Sequence, residues 1–353
     1  MRKISVAIVL LASMLAWQCS KKVESGAPQS LKESLNSGSQ NLSNAVTAIS
    51  HTYGYKVISL NEQSTLKSSF STEAAFQDSI SLANISGVYE YHPVSYKHWC
   101  FSCFNKLFTR TGDNHDLIVK LPEVKVFFPI RFLTVIPSDS ALKNNLVIDA
   151  SDYHYYFSRG FLWDYKLVAG VTLNDTAIGN LDIQSSRGSG SDYTYSASYT
   201  FPNMYNIAVN VKSGDTATSS IALSGSSGVL LKETVNRFKV SGSHFSEKEF
   251  ILDVGNVEFK RTSGSDTTTV YVGGVLQTMA KVEVVDTPGS TGSIFSGRDI
   301  KVTFDDGTTA TLSSLLGPSL VTLKSMVVNL QNVYFASNII DYVAINIFKN
   351  KTH

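Results

Sequence analysis

From about Gly87 onward the chain breaks into short runs in which β-branched and aromatic residues alternate with polar ones. They read "LIVKL", "EVKVFFP", "LVIDA", "YHYYFS", "YKLVAGVTL", "YTYSASYTF", "NIAVNV", "EFILDV", "VEFKR", "TTVYV", "KVEVV" and "DIKVTF". Clusters of Gly, Asn, Asp and Ser separate them, as expected of strands joined by tight turns. No long helical pattern lies between the runs. That argues against a parallel sheet with crossover helices and for antiparallel pairing over residues 87–316.

Helical patterns flank this β body. Ser30 followed by Glu33 makes a capping-box signature, and Leu31, Leu35, Leu42, Ala45, Ile49 and Tyr53 then trace one stripe, interrupted at Gly38. Residues 54–86 are ambiguous, with a short helix expected near Glu73 to Ile80, so 30–86 is read as a helical N-terminal segment. After Gly317-Pro318, Leu320, Leu323, Val327, Leu330 and Tyr334 share a face, and Pro318 suits a first helical position. This predicts a C-terminal amphipathic helix within 317–353. Lys324, Asn329, Gln331, Asn332, Asn338 and Asp341 interrupt its apolar run, each costly in lipid, so no membrane span is expected there.

An internal similarity suggests how the strands are organised. "NIAVNVKSGDTATSSIAL" (Asn206 to Leu223) aligns without gaps on "DIKVTFDDGTTATLSSLL" (Asp299 to Leu316). "LVIDASDYHYYFSRG" (Leu146 to Gly160) resembles "FILDVGNVEFKRTSG" (Phe250 to Gly264) more faintly, in the same order along the chain. The expected fold class is α+β, mainly antiparallel β, with duplicated lobes over 146–223 and 250–316 and a helix at either end.

The N-terminus reads "MRKISVAIVLLASMLAWQCSKK". Arg2 and Lys3 precede an apolar run, Ile4 to Ala16, of signal-peptide rather than membrane-span length. With Cys19 after it, this segment resembles a bacterial lipoprotein signal, closest to the looser boxes of Bacteroidota-type lipoproteins. Trp17 and Gln18 depart from the small residues usual before the cysteine. The resemblance implies a signal peptide over residues 1–18, acyl chains on Cys19, and a polar tether over residues 19–29. Several chains at about 0.8 kcal/mol per buried methylene anchor stably. Ser20 follows the cysteine instead of an aspartate, which favours the outer membrane, with the body facing either periplasm or medium. Membrane lipid is thus the expected partner through Cys19, with a glycan or an envelope protein beyond it. The formal charge of the whole chain is +1, and removal of Arg2 and Lys3 makes it −1. A near-neutral chain without a clustered basic footprint argues against nucleic acid.

Candidate chemistry is sparse. In "YKHWCFSCFNK" (Tyr96 to Lys106), Trp99 precedes Cys100 and Cys103 at a spacing that resembles the thioredoxin active site, where a helix N-terminus favours the thiolate. Thr109 to Asp113 breaks the chain soon afterwards, before the long helix that such a fold requires. A structural pair, as a disulfide or as buried thiols, is expected, with thiol–disulfide exchange as an alternative. His98, Cys100, Cys103 and His115 contain only one paired metal-ligand spacing, and an oxidising export route favours a disulfide. No metal site is therefore expected. Asp113-Asn114-His115-Asp116 and Asp305-Asp306-Gly307 read as turn chemistry rather than calcium loops. Trp163, Tyr155 and Tyr165 are candidate glycan contacts, although alternation sends Tyr153, Tyr155 and Phe157 to one face and His154 and Tyr156 to the other. No nucleophile elbow, phosphate loop or dinucleotide fingerprint occurs, and no cofactor is expected. The functional expectation is a lipid-anchored envelope protein with a non-enzymatic binding or structural role. Glycan binding and thiol–disulfide exchange are its alternatives.

Overall fold

The computed structural model describes residues 30–59, 79–92, 107–123, 142–158, 162–188, 192–239, 245–265, 267–286, 298–330 and 334–352. Cys19, Cys100, Cys103 and His98 lie outside the described residues, as do most of "EVKVFFP" and of the helix expected near Glu73. The end of that last stretch, Ile80, belongs to a strand.

The chain opens with α1 (Leu31–Ser50) and α2 (Tyr53–Ser59), then β1 (Ser79–Ser81), α3 (Leu82–Ile85), β2 (Gly87–Tyr91), β3 (Phe108–Gly112) and β4 (Leu117–Leu121). Long strands follow: β5 (Leu146–Phe157), β6 (Trp163–Leu173), β7 (Thr176–Arg187), β8 (Tyr193–Thr200), β9 (Asn206–Ser213), β10 (Thr216–Gly225), β11 (Gly228–Lys239) and β12 (Phe245–Val254). Shorter ones complete the β body: β13 (Val257–Thr262), β14 (Thr269–Val272), β15 (Val275–Leu276), β16 (Lys281–Asp286), β17 (Arg298–Thr303) and β18 (Thr309–Thr311). Three helices end the chain: α4 (Leu312–Leu316), α5 (Ser319–Leu330) and α6 (Tyr334–Thr352).

Strands β5 to β15 form one antiparallel meander, each paired with its neighbours in sequence, and β4, β2 and β3 extend it beyond β5. The pair β2–β4 is parallel, and β1 adds to β5 from the side. Strands β16, β17 and β18 make a separate three-stranded sheet. The fold is thus α+β and mainly antiparallel, as the strand spacing predicts. Turn chemistry explains the meander locally. Asn174 and Asp175, both at positive φ, close β6–β7, and Gly273-Gly274 do the same for β14–β15, the left-handed pairs that two-residue hairpins demand.

One face of the main sheet is covered. Leu117, Val119 and Leu121 of β4, Leu146, Ile148 and Ala150 of β5, Leu167 and Ala169 of β6, and Leu181 and Ile183 of β7 are all buried. Helix α6 packs on β1 and β5, α2 packs on β7, and α1 packs on β11, β12 and β13. The capping box at Ser30 and Glu33 is present, and Leu31, Leu35, Leu42, Ala45 and Ile49 are buried along α1. Tyr53 departs from the expected stripe, at 62% exposed and at the start of α2. Gly38 does not break the helix. A Cβ there would meet the Val254 carbonyl at 2.9 Å, and the β12–β13 turn glycine, Gly255 at φ 60°, sits against it. Close backbone approach, rather than a kink, is what this glycine allows.

The similar segments of the sequence part company in space. Asn206 to Leu223 forms the β9–β10 hairpin of the main sheet, whereas Asp299 to Leu316 forms the β17–β18 hairpin of the small sheet and then turns into α4. Leu146 to Phe157 is one long strand, while its counterpart is bent at Gly255 into two. The shared element is the hairpin turn, and β9 through β15 continue one sheet rather than a second lobe. The C-terminal region is helical where it is described, as α5 and α6. Among the described residues no helix is long and apolar enough to cross a membrane.

Candidate functional site

A strongly perturbed carboxyl lies where α6 crosses β5 and β6. Asp341 Oδ1 accepts hydrogen bonds from the hydroxyls of Tyr153 at 3.0 Å and Tyr165 at 3.1 Å. The rings of Tyr153 and Tyr165 meet edge to face at 6.1 Å, and Tyr155 meets Tyr165 likewise at 6.4 Å. Desolvation pushes Asp341 up to about 7, against the lowering effect of its two donors. Burial, then the charge of Asp341, pushes both phenols well above their ordinary range. The arrangement is one acceptor clasped by two hydroxyls that stay protonated, joining α6 to the sheet. In the sequence Asp341 shows only as a polar interruption of an apolar run, and nothing there points to tyrosines 176 and 188 residues away.

This places the expected aromatic contacts on the covered face. Tyr155 and Tyr165 belong to the helix side with Tyr153, packed against the core. Trp163 shares that side at the strand end, where its indole N–H donates to Ser185 Oγ at 2.9 Å. Arg187 stacks over Trp163, and Tyr193 meets it edge-on.

The opposite, open face carries a different constellation. A groove of about 520 Å³ crosses β5 to β10 there. Its lining includes His154, Lys166, Gln184, Ser196, Asn210 and Lys212. Strand register builds it as two rows: His154, Lys166, Gln184, Ser196 and Asn210 stand side by side, and Asp164, Ser186, Thr194, Lys212 and Thr218 form the next. Lys166 pairs with Asp152 at 2.7 Å, and that hydrogen bond raises its pKa. His154 Nε2 is 3.5 Å from Asp164 Oδ2, and Ser186 and Thr194 share a hydrogen bond of 2.7 Å. Ser196, Asn210 and Lys212 make no side-chain hydrogen bond or ion pair among the described residues. Tyr156 is directly opposite Asp164 on this face and continues the second row beyond the groove lining. Sequence reasoning puts His154 and Tyr156 on this face but does not find the groove, because its rows come from six strands whose register no single stretch reveals.

The acidic turns are engaged locally. Asp113 pairs with Arg110 at 2.8 Å, and Asn114 Oδ1 accepts from the Asp116 amide at 2.9 Å. Asp306, with its carboxyl held far below the ordinary range, binds Lys32 at 2.7 Å and the Thr308 amide at 2.9 Å. Among the described residues no group of three or more metal-ligating side chains assembles.

No protein-family model, curated protein or solved structure matches this chain.

Proposed function

We propose that the chain is a lipid-anchored protein of the bacterial envelope, held at the outer membrane through Cys19, and that it binds an oligosaccharide rather than transforming a substrate. The observation that carries the ligand is the groove on the open face, with hydroxyl, amide and ammonium groups in two rows, one of which Tyr156 continues on β5. Sugar hydroxyls need both donors and acceptors, and Ser196 and Asn210 offer both without internal partners. A ring face beside them suits the apolar side of a pyranose. The contacts shift from Trp163, Tyr155 and Tyr165, whose rings lie on the covered side, to residues on the other side of the same strands.

Titration calorimetry against a panel of bacterial-surface oligosaccharides tests the ligand. Saturable binding is expected, weakened about tenfold in a Gln184→Ala/Asn210→Ala variant and by Tyr156→Ala, with Trp163→Ala leaving it unchanged. Silence across the panel, or equal weakening by Trp163→Ala, removes the glycan reading. Labelling with radioactive palmitate tests the anchor: Cys19→Ser is expected to lose the label and to leave the membrane fraction.

A further inference from the structure

On the covered side of the main sheet, the outer ends of β12 and β13 face the three-stranded sheet across a crevice of about 380 Å³. Phe250 and Phe259 form one wall, and Val284 and Ile300 form the other. Two cations, Lys248 and Arg261, stand among these lining residues. Lys248 is directly opposite Arg237 across the β11–β12 pair, and Arg261 is directly opposite Phe250. All three cations therefore point to the crevice side.

None of the three has an ion-pair partner among the described residues, and Arg261 donates only a long 3.4 Å bond to the Ser265 carbonyl. Like charges directly opposite on paired strands destabilise them. The neighbouring carboxylate does not relieve the repulsion: Glu249 points to the open face, where it holds Lys260 at 2.6 Å. An apolar crevice with surplus positive charge on the same face is complementary to an amphiphile with an anionic head. Its volume lies near the lower end of the roughly 300–1,000 Å³ usual for small-molecule sites, which fits one acyl chain rather than two.

We infer that this crevice binds a fatty acid, its chain lying between Phe250, Phe259, Val284 and Ile300 and its carboxylate among Lys248, Arg261 and Arg237. The site is on the opposite side of the sheet from the polar groove, so it is occupied independently of any glycan.

Fluorescence titration of the full chain carrying Cys19→Ser with cis-parinaric acid, and separately with its methyl ester, tests the assignment. The acid is expected to bind saturably at one site. Lys248→Glu/Arg261→Glu weakens it at least about tenfold, while the uncharged ester binds the parent protein less tightly and is indifferent to the charge reversal. Thr268→Trp, which narrows the crevice from its lining, weakens both ligands. Circular dichroism establishes that each variant is folded, and the charge reversal at the more exposed Lys248 and Arg261 decides the matter should the tryptophan variant not fold. The site is ruled out by absence of saturable acid binding to the parent, by equal affinity for acid and ester, or by an acid affinity that the charge reversal leaves unchanged.

Discussion

Leu181 on β7 and Val209 on β9 point to the same side of one sheet, two strands apart, yet Leu181 is 0% exposed and Val209 is only half-buried. The difference lies in what covers them. Over β5 and β7 the helices α6 and α2 close the surface, and the Asp341–tyrosine clasp fixes α6 in place. Helix α1 reaches β11 to β13 at their Val254–Gly255 end, and at the opposite ends Val235, Phe250 and Arg261 are half-buried and Arg237 and Lys248 exposed. The same strand alternation therefore makes a packed core where helices cover the face and an accessible surface where they do not.

If that contrast holds, truncations should sort by sector. Leu181→Ala is expected to cost about 3–5 kcal/mol in urea unfolding, because a closed core cannot collapse onto the void. Val209→Ala should cost less than about 1 kcal/mol, and comparable losses at both sites would dissolve the distinction.

The clasp gives the next largest effect, and its sign is opposite to that of an ordinary paired aspartate. Asp341 is raised from 3.8 to about 7, so the folded state binds its proton more tightly than the unfolded chain. Its stabilising contribution is full below about pH 4 and is lost as pH rises toward 7. Between pH 4 and pH 8 this decline is expected to be about 2–3 kcal/mol, reduced from the full pKa difference by residual solvent access. Asp341→Asn keeps an acceptor for both phenols and should flatten that portion of the stability–pH curve; an unchanged slope would place the titration elsewhere.

At the boundary of the sealed sector, Gly38→Ala drives a methyl group into the Val254 carbonyl. A loss of about 1–3 kcal/mol is expected from such overpacking, read by thermal or denaturant unfolding. The smallest effect has the opposite sign. Lys248→Glu converts the like-charged pair with Arg237 into an attractive one and should stabilise the ligand-free protein by about 0.5 kcal/mol, while weakening fatty-acid binding. A variant that lost stability would show that Lys248 and Arg237 do not repel.

What the sequence reveals divides along physical lines. The α1 cap and stripe are local, and so are the Asn174-Asp175 and Gly273-Gly274 turns, so residues a few positions apart announce them. Strand β5 shows where this fails. Leu146, Ile148 and Ala150 face the core, but so does Tyr153, an odd number of positions later. The register jumps from Ala150 to Asp152, leaving Ser151 as a bulge that exchanges the two faces. A bulge carries no compositional mark, and simple alternation across it would bury Asp152. The candidate site was less legible still. The groove depends on register across six strands, the crevice on two separate sheets, and the clasp on an aspartate and two tyrosines brought together from opposite parts of the chain. The similarity between 206–223 and 299–316 marks a common turn, while the different continuations of the two segments are set by what each packs against.

The placement of α1 also orders the events of folding. Strands β5 to β15 pair with sequence neighbours and can assemble hairpin by hairpin as they emerge. Helix α1 is made first, yet it docks on the β12–β13 turn and, through Lys32, on Asp306, 274 residues further along. Its stripe of Leu31, Leu35, Leu42 and Ile49 has no permanent partner until most of the chain exists. For that interval the amphipathic stripe of α1 stays exposed, the kind of surface through which folding intermediates associate. Slowing synthesis of residues 250–316 would lengthen that exposure.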